Sequence, residues 1–276
     1  GKSGIIPTWG GGHSPLSSEL ARGVRMKLQA ARTGVIEGSE MKAVQPMLSI
    51  QRQKSMNPDL KELLIERIVY RGEFSWFVFP FAGRMAHEGL AALLSYRISL
   101  KEPMTIAVSF NDYGLQLRTN SSWDISLEEW REFLSSEHLI EDLLACVNAT
   151  ELARRQFREV ARVAGLIFSG YPKAKKAARH IQASSDLLFE VFQQYDSENL
   201  LLHQSRCEVL ERHLELRRLT NQLLLIREQN ICIEKPDRLT PFSFPLWADS
   251  LRAQISSEKW EDRIRKMVSS LEGDAA

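Results

Sequence analysis

Cysteine is scarce in this sequence. The 276 residues include three cysteines, Cys146, Cys207 and Cys232, which are widely spaced and form no C-x-x-C pair. A disulfide framework needs an even set of cysteines, and a cysteine-based zinc site needs closely spaced pairs. The sequence therefore argues against both and favours a reducing compartment.

Long apolar runs and a secretion signal are also missing. No stretch approaches the roughly 18 uninterrupted apolar residues that a membrane helix requires. The N-terminal segment GKSGIIPTWGGGHSPLSS has no apolar core followed by a cleavage site of small residues. We therefore expect no membrane association. The chain starts without Met at a glycine-rich segment, which indicates a piece of a longer protein.

An excess of either charge is absent as well. Lys and Arg together number 36 against 35 for Asp and Glu, which leaves a net charge of +1. This balance excludes a globally basic protein, so any nucleic-acid site must come from local clustering of charge. With 43% apolar and 26% charged residues, the chain has the composition of a folded protein with a sizeable core.

The first half of the chain mixes helical and strand patterns. Helices are expected at 17–32 and at 40–55, the second of them bent or restarted at Pro46. The segments LLIERIVY and FSWFVF (63–70 and 74–79) predict a β-hairpin. A helix at 84–100 and two strands, 104–110 and 115–119, follow. Together these segments predict a β-β-α-β-β unit, an antiparallel sheet with a helix packed on one face.

The second half reads as helical. The expected segments lie near 126–135, 137–148, 149–168, 173–195, 197–229 and 247–271. We therefore predict an α+β fold in three parts: a linker or contact loop at 1–14, a mixed unit at 15–123 and a helical unit at 124–276. The alternative is that the last two parts form one compact domain.

The most distinctive local sequence is FPFAGRMAHEGL, in which a strand ends and a helix begins. Arg84 and His87 lie near the first turn of that helix, where N–H groups and the helix dipole attract anions, so they predict a phosphate contact. The alternative is that Arg84 pairs with Glu88 and that His87 is a packing residue. A hydrolase built on His87, Glu88 and Asp112 is a further hypothesis, although the second histidine of H-E-x-x-H is missing.

The strongest charge pattern lies between residues 154 and 180. The window contains eight basic residues against one acid, Glu159: Arg154, Arg155, Arg158, Arg162, Lys173, Lys175, Lys176 and Arg179. Arg154, Arg158 and Arg162 share one helix face and can follow a phosphate backbone. Tyr171, at a Gly-Tyr-Pro break, is placed to stack on a base, and Gln182 completes the predicted nucleic-acid-binding set. The alternative is a solvated basic face paired with acids elsewhere.

Five blocks of this sequence carry a family resemblance. They are FPFAGRMAHEGLAALLSYRIS, VSFNDYGLQL, NATELARRQFREVARVAGLIFSGYP, KKAARHIQASSDLLFEVFQQYDSENLLL and PFSFPLWADSLRAQISSEKWEDRIRKM. The chain resembles the C-terminal region of Lhr-type (large helicase-related) proteins, above all the bacterial ligase-associated DEXH-box helicases. The resemblance implies an accessory region of a superfamily 2 enzyme that couples ATP hydrolysis to 3′→5′ movement on DNA.

The resemblance also implies a setting for this region. RecA-like and winged-helix domains of the parent chain would precede it, ATP and Mg²⁺ would bind to those domains, and this region would help to close the single-stranded DNA channel. Gly1-Lys2-Ser3 looks like the end of a phosphate-binding loop but lacks its strand and glycines, so we expect no ATP hydrolysis, catalytic residue, cofactor or metal in this chain alone.

The expected partners are single-stranded DNA or an RNA–DNA hybrid, with a DNA ligase or nuclease as a further candidate. The expected setting is DNA repair by a monomeric, cytoplasmic and nucleoid-associated bacterial protein. The competing hypothesis is a protein-docking module that organises the motor domains or recruits a repair partner. An exposed basic groove would favour DNA binding, and an exposed apolar patch would favour docking.

Overall fold

A computed structural model describes the chain at residues 14–70, 72–168, 170–171, 174–175, 178–213, 215–252, 264–265 and 267–269. At 147–151, 170–171, 174–175, 178, 180, 212–213 and 252 the backbone alone is described. Within these residues, no helix has both the length and the apolar character needed to cross a membrane.

The helices account for most of the described chain. In order they are α1 (Ser18–Arg32), α2 (Ser39–Lys54), α3 (Arg84–Lys101), α4 (Leu127–Phe133), α5 (Leu139–Ala145), α6 (Val147–Val163), α7 (Ala178–Tyr195), α8 (Leu200–Glu208), α9 (Leu216–Glu228) and α10 (Ser243–Arg252). A π-helical turn, Val209–His213, directly continues α8. Local sequence signals start several helices. Ser17 caps α1 through the backbone N–H of Leu20, and Ser126 and Glu129 form a reciprocal capping box at the start of α4.

Five strands form the main sheet. They are β1 (Glu62–Tyr70), β2 (Glu73–Phe79), β3 (Ala107–Phe110), β4 (Leu115–Thr119) and β7 (Asn230–Glu234), in the order β3-β4-β2-β1-β7. The pairs β1–β2, β2–β4 and β3–β4 are antiparallel, whereas β7 runs parallel to β1. Two shorter strands, β5 (Gly170–Tyr171) and β6 (Ala174–Lys175), pair with each other between α6 and α7.

The sheet separates two hydrophobic cores, because successive side chains of a strand point to opposite faces. One face presents Leu63, Ile65, Trp76, Val78, Leu115 and Leu117 to the larger core, which buries side chains from α3 to α9. The other face presents Leu64, Ile68, Phe77 and Phe79 to the smaller core, which includes Leu28 of α1, Leu48 of α2 and Leu246 of α10. The molecule is therefore built as helices on both faces of one sheet.

A buried carboxylate lies on the smaller-core face of the sheet. Glu66 of β1 is fully buried and accepts hydrogen bonds from Gln51 Nε2 at 2.8 Å and from the Thr240 hydroxyl at 2.7 Å. Thr240 and Ser243 bond reciprocally at the start of α10. Burial raises the pKa of Glu66, against the opposing effect of these hydrogen bonds. The group ties α2, β1 and α10 together.

Arg97 of α3 holds the connection between α4 and α5. Its Nε donates to Asp142 at 2.8 Å, and its Nη1 donates to the carbonyls of Phe133 at 2.8 Å and Ser135 at 2.6 Å. Only 10% of its side chain is exposed. One guanidinium therefore satisfies carbonyl groups that the end of α4 leaves without helical partners.

The predicted α+β class and the β-β-α-β-β unit are confirmed, and the structure adds to them. The sheet gains a fifth strand, β7, so it is mixed and not purely antiparallel. The helix predicted at 197–229 is wrong as one piece, because it is divided by the π-helical turn and by Glu215, whose φ of 43° is left-handed. Residues 174–175 are strand and not helix, and Pro46 lies inside a continuous α2.

The division at residue 124 stays a prediction. Strand β7, which follows that position in the chain, pairs with β1, which precedes it. The side chain of Gln229 also donates to the carbonyl of Leu60 at 2.9 Å. The two predicted units therefore share one sheet.

Candidate nucleic-acid interface

Helix α6 carries the arginine row that the sequence singles out. Its apolar positions Ala153, Phe157 and Ala161 recur every four residues and are buried. Arg154, Arg158 and Arg162 each follow one position later, so they lie along the border between the buried face and solvent. The same pattern that packs α6 against the core thus places the guanidinium groups in a line.

Helix α7 lies alongside this row and runs in the opposite direction. Phe157 of α6 packs edge-on against Phe189 of α7, with ring centroids 5.5 Å apart. Arg154 Nη1 donates to Glu190 Oε1 at 3.0 Å, and Arg158 Nε donates to the Ser185 hydroxyl at 3.4 Å. Lower residue numbers on α6 therefore meet higher numbers on α7. The β5–β6 hairpin joins the two helices at the end that carries Arg162.

A cleft opens between the two helices. It has a volume of about 280 Å³ and is lined by Arg154, Arg155 and Arg158 of α6 and by Gln182 and Asp186 of α7. We call it the arginine cleft. Three of the predicted residues, Arg154, Arg158 and Gln182, thus come together in one place.

Part of the positive charge around the arginine cleft is balanced by acidic side chains of the protein itself. Arg154 pairs with Glu190, and its guanidinium lies 5.5 Å from the centroid of the Phe189 ring. Outside the cleft, Arg162 pairs with Glu159 at the surface. Exposed ion pairs of this kind contribute little to stability, about 0–1 kcal/mol, so a phosphate can replace the carboxylate at low cost.

The remaining predicted residues of this region span positions 162 to 179 of the sequence. Arg162 and Arg179 are exposed. The backbones of Tyr171 and Lys175 form the β5–β6 pair, although their side chains are not among those described. Lys173 and Lys176 lie outside the described residues. Of the described residues, Arg162, Arg179 and the β5–β6 backbone therefore lie at the same end of the cleft.

Arg84 and His87 belong to a different part of the molecule, at the start of α3. The Oδ1 atom of Asp112 accepts the backbone N–H groups of Arg84 and Leu16, both at 3.0 Å. A carboxylate of the protein itself thus occupies the position that the sequence suggested for a phosphate. The guanidinium of Arg84 lies over the Phe110 ring, with its Cζ 5.3 Å from the centroid.

His87 is completely buried, in agreement with the alternative interpretation that it is a packing residue. Its Nε2 accepts the backbone N–H of Ala82 at 3.0 Å, which places the ring proton on Nδ1, 2.6 Å from the carbonyl oxygen of Asn111. Burial lowers the pKa of His87 to about 4, against the opposing effect of the Asn111 carbonyl. Both ring nitrogens are thus committed to the backbone, and the side chain has no surface from which to contact DNA.

The same geometry removes the basis of the hydrolase hypothesis. A general base needs a ring nitrogen that reaches a substrate, and His87 offers none. Asp112 Oδ1 caps α3. Among the residues that the structure describes, no three His, Cys, Asp or Glu side chains group as metal ligands would.

Sequence reasoning missed two features of possible function. One is that Asp186, an acid in a basic region, lines the arginine cleft beside Arg155, which belongs to the basic window of the sequence but lies off the i, i+4 row. The other is an apolar groove of about 730 Å³ between α1, α2 and the sheet, whose lining includes Leu20, Val44 and Tyr113. The sequence signal for this groove is the helical spacing of apolar residues on α1 and α2. The same spacing is typical of a helix face that packs in a core.

A family model described as "DEAD/H associated" matches residues 57–243. The chain is 26% identical, over 89% of its length, to the ATP-dependent helicase Lhr-Core protein 2 of Thermococcus barophilus, and spans 30% of that protein. It is 23% identical, over 87% of its length, to the ATP-dependent helicase Lhr-Core of Methanocaldococcus jannaschii, and spans 29% of it. The chain thus spans about a third of the length of these curated relatives.

A solved structure shares this fold. It is that of the Mycobacterium smegmatis helicase Lhr bound to ssDNA and AMP-PNP, with a TM-score of 0.66 and 19% identity. The match covers 89% of this chain and 33% of that one. Together with the Lhr-Core relatives, it confirms the resemblance to Lhr-type proteins that the five sequence blocks carry.

Proposed function

Since the chain belongs to the DEAD/H associated family, we propose that it is the DNA-binding accessory region of an ATP-dependent 3′→5′ helicase. In this role the region binds single-stranded DNA or an RNA–DNA hybrid, helps to close the DNA channel and serves DNA repair. The observation that carries the proposal is the arginine cleft, where α6 and α7 bring Arg154, Arg155, Arg158 and Gln182 together. The similar Mycobacterium smegmatis helicase is bound to ssDNA, which supports the choice of ligand.

The arrangement suits a phosphate backbone for two physical reasons. Guanidinium groups donate several N–H bonds to one phosphate and remain charged at every physiological pH. A line of them along a helix matches successive phosphates of an extended strand, and each contact releases counterions. The affinity should therefore fall steeply as the salt concentration rises.

ATP hydrolysis belongs, in this proposal, to the RecA-like domains of a longer parent chain, with a winged-helix domain beside them. Among the described residues, no three carboxylate, histidine or cysteine side chains lie together as metal ligands would. The part of this chain in the proposal is to bind and to position DNA.

We predict that exchanging two exposed arginines for glutamate weakens DNA binding. Arg155→Glu combined with Arg179→Glu should lower the affinity for a fluorescein-labelled oligothymidylate at least about 10-fold at low salt. It should also reduce the slope of log K against log[salt] by about 1.4, because each lost phosphate contact removes about 0.7. Fluorescence anisotropy at several salt concentrations measures both quantities.

The matched control carries the same charge change away from the cleft. Arg52→Glu with Lys54→Glu, both exposed at the end of α2, should leave affinity and salt slope near those of the unmodified chain. Equal losses in the two double variants would show that only net charge matters. That result would contradict a specific role for the cleft.

The second candidate function is protein docking, which the apolar groove between α1, α2 and the sheet favours. A docking module would hold the motor domains in place or recruit a ligase or nuclease without touching DNA. The anisotropy experiment separates the two candidates. A folded chain that binds no oligonucleotide at low salt would support docking, and salt-sensitive binding lost in the cleft variant would support the DNA-binding role.

A further inference from the structure

The arginine cleft contains a residue that a simple phosphate site does not need. Asp186 of α7 lines the cleft with three arginines and Gln182. A carboxylate in a cleft made only for phosphate would repel the ligand. Its Oδ1 atom is shielded from solvent and has no hydrogen-bond partner among the described residues. A buried acceptor of this kind is unusual, and a ligand in the cleft reaches it when the carboxylate rotates toward the cleft and accepts a donor there.

The ligand that suits this cleft combines acceptors with hydrogen-bond donors. The guanidinium groups require oxygen or nitrogen acceptors, and Asp186 requires N–H groups. Arg154 spends one N–H on Glu190, and Arg158 reaches Ser185 at 3.4 Å, so each keeps further donors for a ligand. A nucleotide offers both kinds of group, because its base edge carries donors and acceptors side by side.

We propose, in an inference that rests on the proposed function, that one base of the bound strand enters the arginine cleft and that Asp186 selects guanine. Guanine presents two adjacent donors, N1–H and the N2 amino group, which a carboxylate accepts together. Its O6 and N7 atoms accept N–H groups from a guanidinium. Adenine and cytosine offer one amino group beside an acceptor, and thymine offers one N–H between two carbonyl oxygens that would repel the carboxylate.

The size and position of the cleft agree with a single base. Its volume of about 280 Å³ lies just under the roughly 300 Å³ at which small-molecule pockets begin. Arg162 and Arg179 are exposed toward the hairpin end, where they meet phosphates of the same strand. The backbone of the strand thus runs outside while one base turns inward.

The test compares oligonucleotides of about 20 residues that differ at one central base. Labelled oligothymidylate is set against the same strand with one guanine, one adenine or one inosine, which lacks the 2-amino group. Anisotropy at low salt should give about 10-fold tighter binding for the guanine strand than for the thymine and adenine strands. The inosine strand should lose most of that advantage.

Variants of the 276-residue chain complete the test. Asp186→Asn should bring the guanine and thymine strands to equal affinity without weakening the binding of oligothymidylate, because the arginines remain and a negative charge is lost from the cleft. Asp249→Asn, an exposed acid on α10, should change neither value. Thermal melting by circular dichroism checks that each variant folds, and the inosine comparison decides the question without any variant.

The outcomes distinguish this inference from the function on which it rests. Equal affinity for the guanine and thymine strands would overturn guanine selection and leave DNA binding standing. A guanine preference that persists in a folded Asp186→Asn chain would overturn the assignment to Asp186. If no strand binds at low salt, the proposed function fails and guanine selection fails with it.

Discussion

At the scale of single residues, surroundings decide what a side chain does. His87 follows a glycine and an arginine at a helix start, a setting that suggests an anion site. The structure buries it and commits both ring nitrogens to the backbone of Ala82 and Asn111. Asp112, from the turn between β3 and β4, supplies the negative charge at that helix end. Sequence spacing identifies the place but cannot show that the protein fills it with its own carboxylate.

The depressed pKa of His87 makes the protein sensitive to acid. The unfolded chain binds a proton at this residue below pH 6.5, whereas the folded chain resists it down to about 4. The stability is therefore complete above pH 6.5 and is lost as the pH falls toward 4, by up to about 3 kcal/mol. His87→Gln keeps an acceptor and a donor without the charge. We expect a lower stability at pH 7.5 and less further loss by pH 5.

Urea unfolding at pH 7.5, 6 and 5 measures this difference. His203→Gln, an exposed histidine of α8, is the control and should keep the acid sensitivity of the unmodified chain. Parallel losses in the unmodified chain and in His87→Gln would show that other groups cause the acid sensitivity.

At the scale of elements, the sequence predicts best where apolar periodicity is long and regular. The β1–β2 hairpin was predicted because both segments are rich in β-branched and aromatic residues, and each strand is buried in a continuous run. Helix α6 was predicted because its apolar residues recur every four positions, and its arginine row follows from the same spacing. Strand β7 was missed because five residues, NICIE, give little periodicity and its pairing with β1 depends on distant residues. Asp186 was missed because its role depends on the helix across the cleft.

Arg97 shows how one side chain can fix the junction of three helices. Arg97→Met removes the ion pair with Asp142 and leaves the carbonyls of Phe133 and Ser135 without a donor. We expect a loss of about 3 kcal/mol in the free energy of unfolding, because removing one partner of a largely buried pair costs about 3–5 kcal/mol. Thermal or urea unfolding measures the loss.

Lys101→Met, at the end of the same helix, is the control for that change. Lys101 pairs with Glu129 and Glu132 but is 45% exposed, so its loss should cost much less stability than the loss of Arg97. Similar losses in the two variants would contradict the special position of Arg97.

At the scale of the whole molecule, two buried titratable groups act in opposite directions. Because burial raises the pKa of Glu66, the folded chain keeps a proton that the unfolded chain releases above pH 4.5. The contribution of Glu66 is therefore complete below pH 4.5 and is lost as the pH rises through the raised pKa. His87 loses its contribution in acid. Together they favour a stability maximum at mildly acidic to neutral pH.

Glu66→Gln tests the part that Glu66 plays, because it keeps hydrogen bonding without the charge. We expect its stability relative to the unmodified chain to increase as the pH rises from 4.5 toward 8. Urea unfolding across this range measures the difference, and Glu198→Gln, an exposed acid before α8, is the control. A difference that does not change with pH would show that Glu66 is charged in the folded chain throughout.

Strand β7 enters the sheet late during synthesis, because its partner β1 lies much earlier in the chain. The side chain of Gln229, directly before β7, donates to the carbonyl of Leu60, 169 positions earlier. At roughly 5–20 residues per second, about 10 to 30 s pass between the synthesis of β1 and of its parallel neighbour. During that interval the edge of β1 carries unpaired backbone groups next to Leu64 and Ile65, the kind of edge that pairs with other chains. Until β7 is made, that edge of β1 is therefore open to pairing with other chains.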